Sequence, residues 1–399
     1  MKILQLCHKP PLPAVDGGCI AMNNITQGLL KAGHKVKVLT IYTHKHDFMP
    51  EQMSEDYLNA TEIEGVYVDT QLNIVDAFSS FMTSDSYNLN RFFSTDFDIK
   101  LTRTLKSNKF DIIHVESLFM TPYLGTIRRY SRAHIVMRAH NLEFVIWEKI
   151  AKGTNNFLKK LYLTYLSGKL RKVELKTLNE VSGVASISEE DALRFKSLGV
   201  KTPIITIPFG VEHSVYSPYA GRPCEMALFH LGAMDWSPNI EGFHWFLSEI
   251  WPKVNATHPT LKLYLAGRNM PGDFTNGRWP NVEIVGEVED AKEFMSSKAI
   301  MVVPLLSAGG VRVKIIEGLA LGKAIISTSI GAEGIGAVDD KNILIADATA
   351  EWLRAIDRVL NEKGLIERLG AEGVEHTRNF DNEAIIENLV RFYHKIKMK

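Results

Sequence analysis

The chain carries only three cysteines, Cys7, Cys19 and Cys224, scattered and without the spacing of a disulfide framework or a metal site. It also lacks an excess of charge. Its 46 Lys and Arg balance 46 Asp and Glu, so nothing electrostatic favours a polyanion, and nucleic acid is excluded as an expected partner. No apolar run approaches the ~20 residues of a membrane span. The N-terminal MKILQLC is too short for a secretory signal and ends in His8, Lys9 and prolines. Repeats and low-complexity tracts are missing as well. These absences indicate a reduced, cytoplasmic, globular protein in which each cysteine is a small apolar filler.

At 399 residues the chain exceeds one ordinary core, and a prior of about 150 residues per domain suggests two. Lys2 to Cys7 reads as a buried strand, Ile20 to Lys31 as a helix and His34 to Tyr42 as a second strand, which together make a βαβ unit. Apolar runs at 111–115, 134–137, 181–187 and 203–207 extend it into a parallel sheet covered on both faces. Pro208-Phe209-Gly210-Val211 and the following Ser-Pro and Arg-Pro pairs punctuate the chain, so the first domain is expected over 1–207. Strand-like runs then resume at 226–231, 261–266, 282–285, 299–303, 324–327 and 342–345, giving a second α/β domain over 208–380. Residues 381–399 form an amphipathic closing helix, with Ile385, Ile386, Leu389, Phe392 and Ile396 on one face, expected to pack back on the first domain. Two doubly wound Rossmann-like domains in tandem predict a ligand cleft at the carboxyl ends of their strands.

The densest chemistry lies in IMVVPLLSAGGVRVKIIEGLALG, from Ile300 to Gly322. A buried strand runs into the turn Ser307-Ala308-Gly309-Gly310-Val311, and a helix opens behind it. Unpaired N–H groups at a helix start, approached closely through glycine, favour a phosphate. Arg312 and Lys314 add cations, and Glu317 is placed to accept hydrogen bonds from ribose hydroxyls. A tight connection with a solvated charged face is the plainer reading of the same turn. Earlier, Gly17 and Gly18 end a proline-stiffened loop after the first strand, either as a phosphate or sugar contact or as a simple turn. His140 follows a strand directly and can bond to a substrate or move a proton, with Asn141 able to cap the next helix. Arg268 follows Gly267 at another strand end, where a guanidinium can hold a diphosphate. Asn239 reads as a helix cap or a sugar contact, with Asp235 nearby. Phe157 to Lys176 reads with Lys and Arg on one side and aromatic or leucine residues on the other: a packed domain helix, or one lying on an anionic membrane.

Taken in order, the Gly17-Gly18 loop, His140, the IPFGV linker at 207–211 and PLLSAGGVRVKIIEGLALGKAIIST resemble a family 4 glycosyltransferase of GT-B architecture, of the bacterial surface-polysaccharide type, over nearly the whole chain. The resemblance implies retaining transfer from a nucleotide sugar, of UDP or GDP type, bound as substrate with no metal or other cofactor. Glu317 would hold the ribose, the turn and its cations the diphosphate, and His140 the sugar. The acceptor would be a carbohydrate or a lipid-linked sugar, and the enzyme would stay cytoplasmic or sit peripherally on the inner face of the membrane. Two departures stand out. The family's first glutamate falls on Gly309, and its usual Arg and Lys after the second domain's first strand are replaced by Ala233-Met234-Asp235-Trp236-Ser237-Pro238-Asn239. Arg268, Arg312 and Lys314 can supply the missing charge. Alternatives are a nucleotide-sugar epimerase of similar architecture, or an inactive scaffold that only binds nucleotide.

Overall fold

Alternation along the first strand already builds two layers: Leu4 and Leu6 enter one apolar core while Ile3 and Cys7 enter another on the opposite face. The computed structural model describes residues 1–70, 89, 91–154, 156–219, 221–276, 279–307 and 311–398. Its strands are β1 (Lys2–Cys7), β2 (Lys35–Tyr42), β3 (Glu64–Tyr67), β4 (Ile112–Glu116), β5 (His134–Ala139), β6 (Gly183–Ser186), β7 (Ile204–Thr206), β8 (Glu225–Leu231), β9 (Leu263–Ala266), β10 (Val282–Gly286), β11 (Lys298–Val303), β12 (Ala324–Ser327) and β13 (Leu344–Ile345).

The chain divides into two compact units, 1–209 with 383–399 and 210–382. The first holds a seven-stranded sheet ordered β3-β2-β1-β4-β5-β6-β7, and the second a six-stranded sheet ordered β10-β9-β8-β11-β12-β13. All pairings are parallel. Each order reverses once, between β1 and β4 and between β8 and β11. In open α/β sheets that reversal opens a crevice at the carboxyl ends of the strands, where ligands bind. The fold thereby marks the neighbourhoods of Cys7 and Glu116 in one unit and of Leu231 and Val303 in the other.

The helix Asn382–Lys397 belongs to the first unit and buries Ile385, Ile386, Leu389, Phe392, Tyr393 and Ile396 in the core that also contains Ile3, Ile112 and Ala185. Burial of each large side chain contributes about 1.5–3 kcal/mol relative to exposure. The sheet admits the helix through Gly183, where a Cβ would stand 2.4 Å from the Ile396 methyl and 2.8 Å from the Phe392 ring. In the second unit the chain's entry and exit run side by side: Val211 N–H donates to Phe380 O at 2.6 Å, and Asn382 N–H to Val211 O at 3.1 Å.

Several local expectations are corrected. β3 was not expected from the sequence, because Glu64–Tyr67 carries no apolar run and is a half-exposed edge strand held by pairing to β2. Gly17 and Gly18 are not a loop but the first residues of the helix Gly17–Lys31, because Asp16 caps it by accepting from Cys19 N–H at 2.9 Å. Asn141 does not cap the next helix. That helix, Glu143–Gly153, begins after Leu142, and its first N–H groups are taken instead by the Glu174 carboxyl oxygens, at 3.1 Å from both Glu143 N and Phe144 N. Asn239 lies inside the helix Ser237–Trp245 and donates to Ala233 O at 2.9 Å. Cys7 and Cys19 are buried fillers, but Cys224 is exposed.

Candidate functional site

In the first unit the switch point is occupied by a buried polar network centred on Glu116, the last residue of β4. Strand register sets it between Cys7 of β1 and Arg138 of β5. Gln5 Nε2 donates to Glu116 Oε1 at 2.9 Å, and His140 Nε2 donates to Oε2 at 2.9 Å. His114 Nε2 lies 3.3 Å from Oε1 and Arg138 Nη1 3.7 Å from Oε2, while Tyr393 from the closing helix bonds to His114 Nδ1 at 2.6 Å. Burial would raise the Glu116 carboxyl, but Arg138 and His114 beside it, with the hydrogen bond from His140, hold it well below the usual carboxylate range.

The network fixes the chemistry of His140. Burial lowers its pKa, and the hydrogen bond to Glu116 only partly offsets that, so the ring is neutral at pH 7. With Nε2–H committed to the carboxylate, Nδ1 presents a lone pair that accepts a hydrogen bond from a hydroxyl. His8, 5.9 Å away ring to ring, is also neutral, its pKa pushed down to about 3 by burial, Lys9 and His140. Its Nδ1 donates to the Glu116 carbonyl at 3.1 Å. Ser117, directly after Glu116, sits at φ 84° and ψ 154°, a conformation almost confined to glycine, which places local backbone strain at this strand end.

Beside this network, Asp16 accepts from Lys9 Nζ at 2.7 Å and from His46 Nε2 at 2.9 Å. Gly18 leaves the room Lys9 uses, since a Cβ there would stand 2.8 Å from Nζ. On the other side a crevice is lined by Ser117, Met137, His140, Asn141, Glu143 and Glu174. Burial pushes the Glu143 carboxyl up to about 7 and that of Glu174 up to about 8.

That pair has a consequence for stability. The folded chain keeps protons on Glu143 and Glu174 that the unfolded chain releases near pH 4.5, so their stabilising contribution is complete below that pH and is lost as pH rises toward 8. Buried His8, His140 and His230 act with the opposite sign, but only below about pH 6.5. Between pH 6.5 and 8 the unfolding midpoint of the wild type is therefore expected to fall, and Glu174→Gln to flatten the slope. Equal slopes in a thermal-melt series would show that Glu174 is already ionised.

In the second unit the switch point lies between β8 and β11. The sequence after β11 includes Gly309 and Gly310, both outside the described residues; Val311 and Arg312 follow, and the helix Val313–Ala320 begins. Glu317 is 6% exposed, accepts from Tyr216 OH at 3.1 Å and lies 2.7 Å from Lys314 Nζ. Burial and the Glu317 charge push the Tyr216 phenol up, so it remains a donor. Lys314 thus pairs with the carboxylate in this structure. Arg312 is buried, which pushes its guanidinium down to about 10, still charged at neutral pH. Arg268 follows β9 half-buried, and its Nε finds no hydrogen-bond partner among the described residues. Its position depends on two glycines, because a Cβ on Gly267 (φ 149°) would fall 1.7 Å from Gly232 O. Among the described residues no cluster of three or more His, Cys, Asp or Glu suits a metal ion, and no helix is long and apolar enough to cross a membrane.

Glu116, His114, Tyr216 and the Lys9–Asp16–His46 cluster were not singled out from the sequence as site residues. Only Glu116 left a trace there, as a carboxylate closing the apolar run of β4.

Two parallel sheets, each with a polar cluster at its reversal, define a two-domain α/β protein of GT-B type. Residues 15–215 match Glycosyltransferase Family 4, and residues 225–362 match Glycosyl transferases group 1. The chain belongs to this family of glycosyltransferases. It is 25% identical over 363 residues to an uncharacterized 44.6 kDa protein in the cps region of Klebsiella pneumoniae, covering 87% of each chain. Among solved structures it is similar to sucrose-phosphate synthase from Thermosynechococcus elongatus (TM-score 0.72, 16% identity, 99% of each chain). It is also similar to HepE of Anabaena in complex with UDP (TM-score 0.67, 13% identity, 99% of this chain and 100% of that one). HepE has also been solved with UDP-glucose.

Proposed function

We propose that this glycosyltransferase moves a sugar from a nucleoside diphosphate donor, of UDP or GDP type, to a hydroxyl of a carbohydrate or lipid-linked acceptor, with retention of anomeric configuration, in cytoplasmic assembly of a surface glycan. The observation that carries the reading is Glu317, a buried carboxylate one turn into the helix that follows the β11 turn, held by Tyr216 and flanked by Lys314 and buried Arg312. The UDP and UDP-glucose complexes of HepE support a nucleotide sugar as donor, and the cps-region relative supports a surface glycan as product.

In this reading Glu317 accepts from the ribose hydroxyls. Arg312, Lys314 and Arg268 neutralise the diphosphate as the bond from the anomeric carbon breaks. Lys314 exchanges Glu317 for the phosphate. The acceptor oxygen forms the new bond to the anomeric carbon, and its proton leaves on the released diphosphate. His140, neutral and accepting through Nδ1, orients a sugar hydroxyl, and the first turn at Gly17 and Gly18 lies at the same strand end as His8. The nucleotide sugar is consumed as substrate and is not a resident cofactor.

Product analysis tests the proposal. Incubation with UDP- and GDP-sugars is expected to release nucleoside diphosphate in step with a new glycoside only when acceptor is present. Conversion of the donor to a stereoisomer without acceptor would identify an epimerase instead, and binding without turnover would identify a scaffold.

A further inference from the structure

The helix Phe157–Glu180 has two apolar faces. Leu163, Leu166, Leu170 and Leu178 are buried in the first unit, as spacing along one face requires. Phe157, Leu158, Leu161, Tyr162 and Tyr165 recur at the spacing of the opposite face and point to solvent, with Phe157 and Leu158 each 75% exposed and Leu161 61% exposed. The sequence reading of one basic and one apolar side is corrected accordingly: lysines flank the exposed apolar row rather than oppose it. Ile150 adds an exposed apolar side chain on the helix Glu143–Gly153, which packs against the longer helix as a hairpin.

Single exposed leucines are ordinary on protein surfaces, but a contiguous row on one face of one helix marks an interaction site. Charge identifies the occupant. From Lys149 to Lys172 the chain carries Lys149, Lys152, Lys159, Lys160, Lys169, Arg171 and Lys172 and no Asp or Glu, although the whole chain is neutral. Lys149, Lys152, Lys159, Lys160, Arg171 and Lys172 are exposed. Apolar and aromatic side chains at the centre of a basic rim match an anionic bilayer, whose headgroups attract the cations while its acyl boundary receives the rings.

We infer that the tip of this hairpin, built by Lys149–Lys152 and Phe157–Tyr165, docks the protein on an anionic lipid surface. Phe157, Leu158 and Leu161 insert, Tyr162 and Tyr165 sit at headgroup level, and the lysines contact the phosphates. The inference is independent of the donor chemistry, because its test contains no nucleotide and its failure leaves the transferase reading untouched.

The test is co-sedimentation of the full-length protein with vesicles of phosphatidylcholine alone and of phosphatidylcholine with about 30 mol% phosphatidylglycerol, since anionic lipid sets the surface potential. Wild type is expected to bind only the anionic vesicles, and less at high salt. Lys159→Gln with Lys160→Gln is expected to weaken binding roughly 30-fold, from the contribution of each cation near a charged surface. Phe157→Ser, Leu158→Ser and Leu161→Ser together are expected to abolish it; these residues are exposed, so an unchanged melting curve checks that the variant folds. Absence of wild-type binding, or equal binding by both variants, overturns the inference. So does a wild-type dimer in light scattering that the triple serine variant converts to monomer, which would assign the face to a second copy of the chain.

Discussion

Glu317→Ala is expected to lower kcat/KM for the nucleotide sugar by about 100-fold or more, since a buried charged acceptor contributes about 1.5–3 kcal/mol for each hydrogen bond to a hydroxyl. The carboxylate is held in place before any ligand arrives, by Tyr216 OH at 3.1 Å and Lys314 Nζ at 2.7 Å. Preorganisation of this kind avoids an ordering cost on binding. Glu317→Gln keeps one carbonyl acceptor and is expected to fall between alanine and wild type. Tyr216→Phe removes the positioning bond but not the acceptor, so its loss should be smaller and appear mainly in KM. Steady-state kinetics with varied donor checks the order. If Glu317→Ala matched wild type, the ribose would be held elsewhere.

The second large effect concerns stability. Arg138→Met is expected to cost about 3–5 kcal/mol, because it removes the guanidinium beside a fully buried Glu116 and leaves that charge poorly compensated. It also removes the bond from Arg138 Nη1 to Ala21 O at 3.0 Å. Adding Glu116→Gln should recover part of the loss, since removing both charges of a buried pair is far milder than removing one. Amide hydrogen exchange in β4 and β5 under increasing urea reads the opening of the first unit. A loss below about 1 kcal/mol would mean that water reaches Glu116 and screens it.

Most of the legible strands have side chains buried on both faces, although the partly exposed Ile204–Thr206 and Val282–Gly286 were legible too. Lys2–Cys7 and Ile112–Glu116 read as largely apolar runs, interrupted at Gln5, His114 and Glu116, because a parallel sheet covered twice demands apolar side chains on both faces. Glu64–Tyr67 escaped because an edge strand needs only its partner's backbone. Helix starts failed where tertiary structure replaced local capping: the donors expected to meet Asn141 meet Glu174 on another helix. Both strand-end clusters were foreshadowed by His140 and Glu317, whose residue types at strand ends and helix starts carry chemistry by themselves. Their partners were not, since Tyr216 lies 101 positions from Glu317 and Tyr393 lies 279 positions from His114. Only folding brings such pairs together. The two faces of the helix Phe157–Glu180 were likewise ambiguous, because leucine and aromatic residues occur at helical spacing on both.

The most direct test of the account is a thermal-shift series of the wild type and Glu317→Ala with UDP, GDP, ADP and CMP and their common sugar conjugates, because a ligand that binds only the folded state raises its stability by mass action. The account predicts that UDP or GDP and its sugar conjugates raise the wild-type midpoint while Glu317→Ala shows no rise. A rise of equal size in both proteins, or none with any nucleotide, would contradict it.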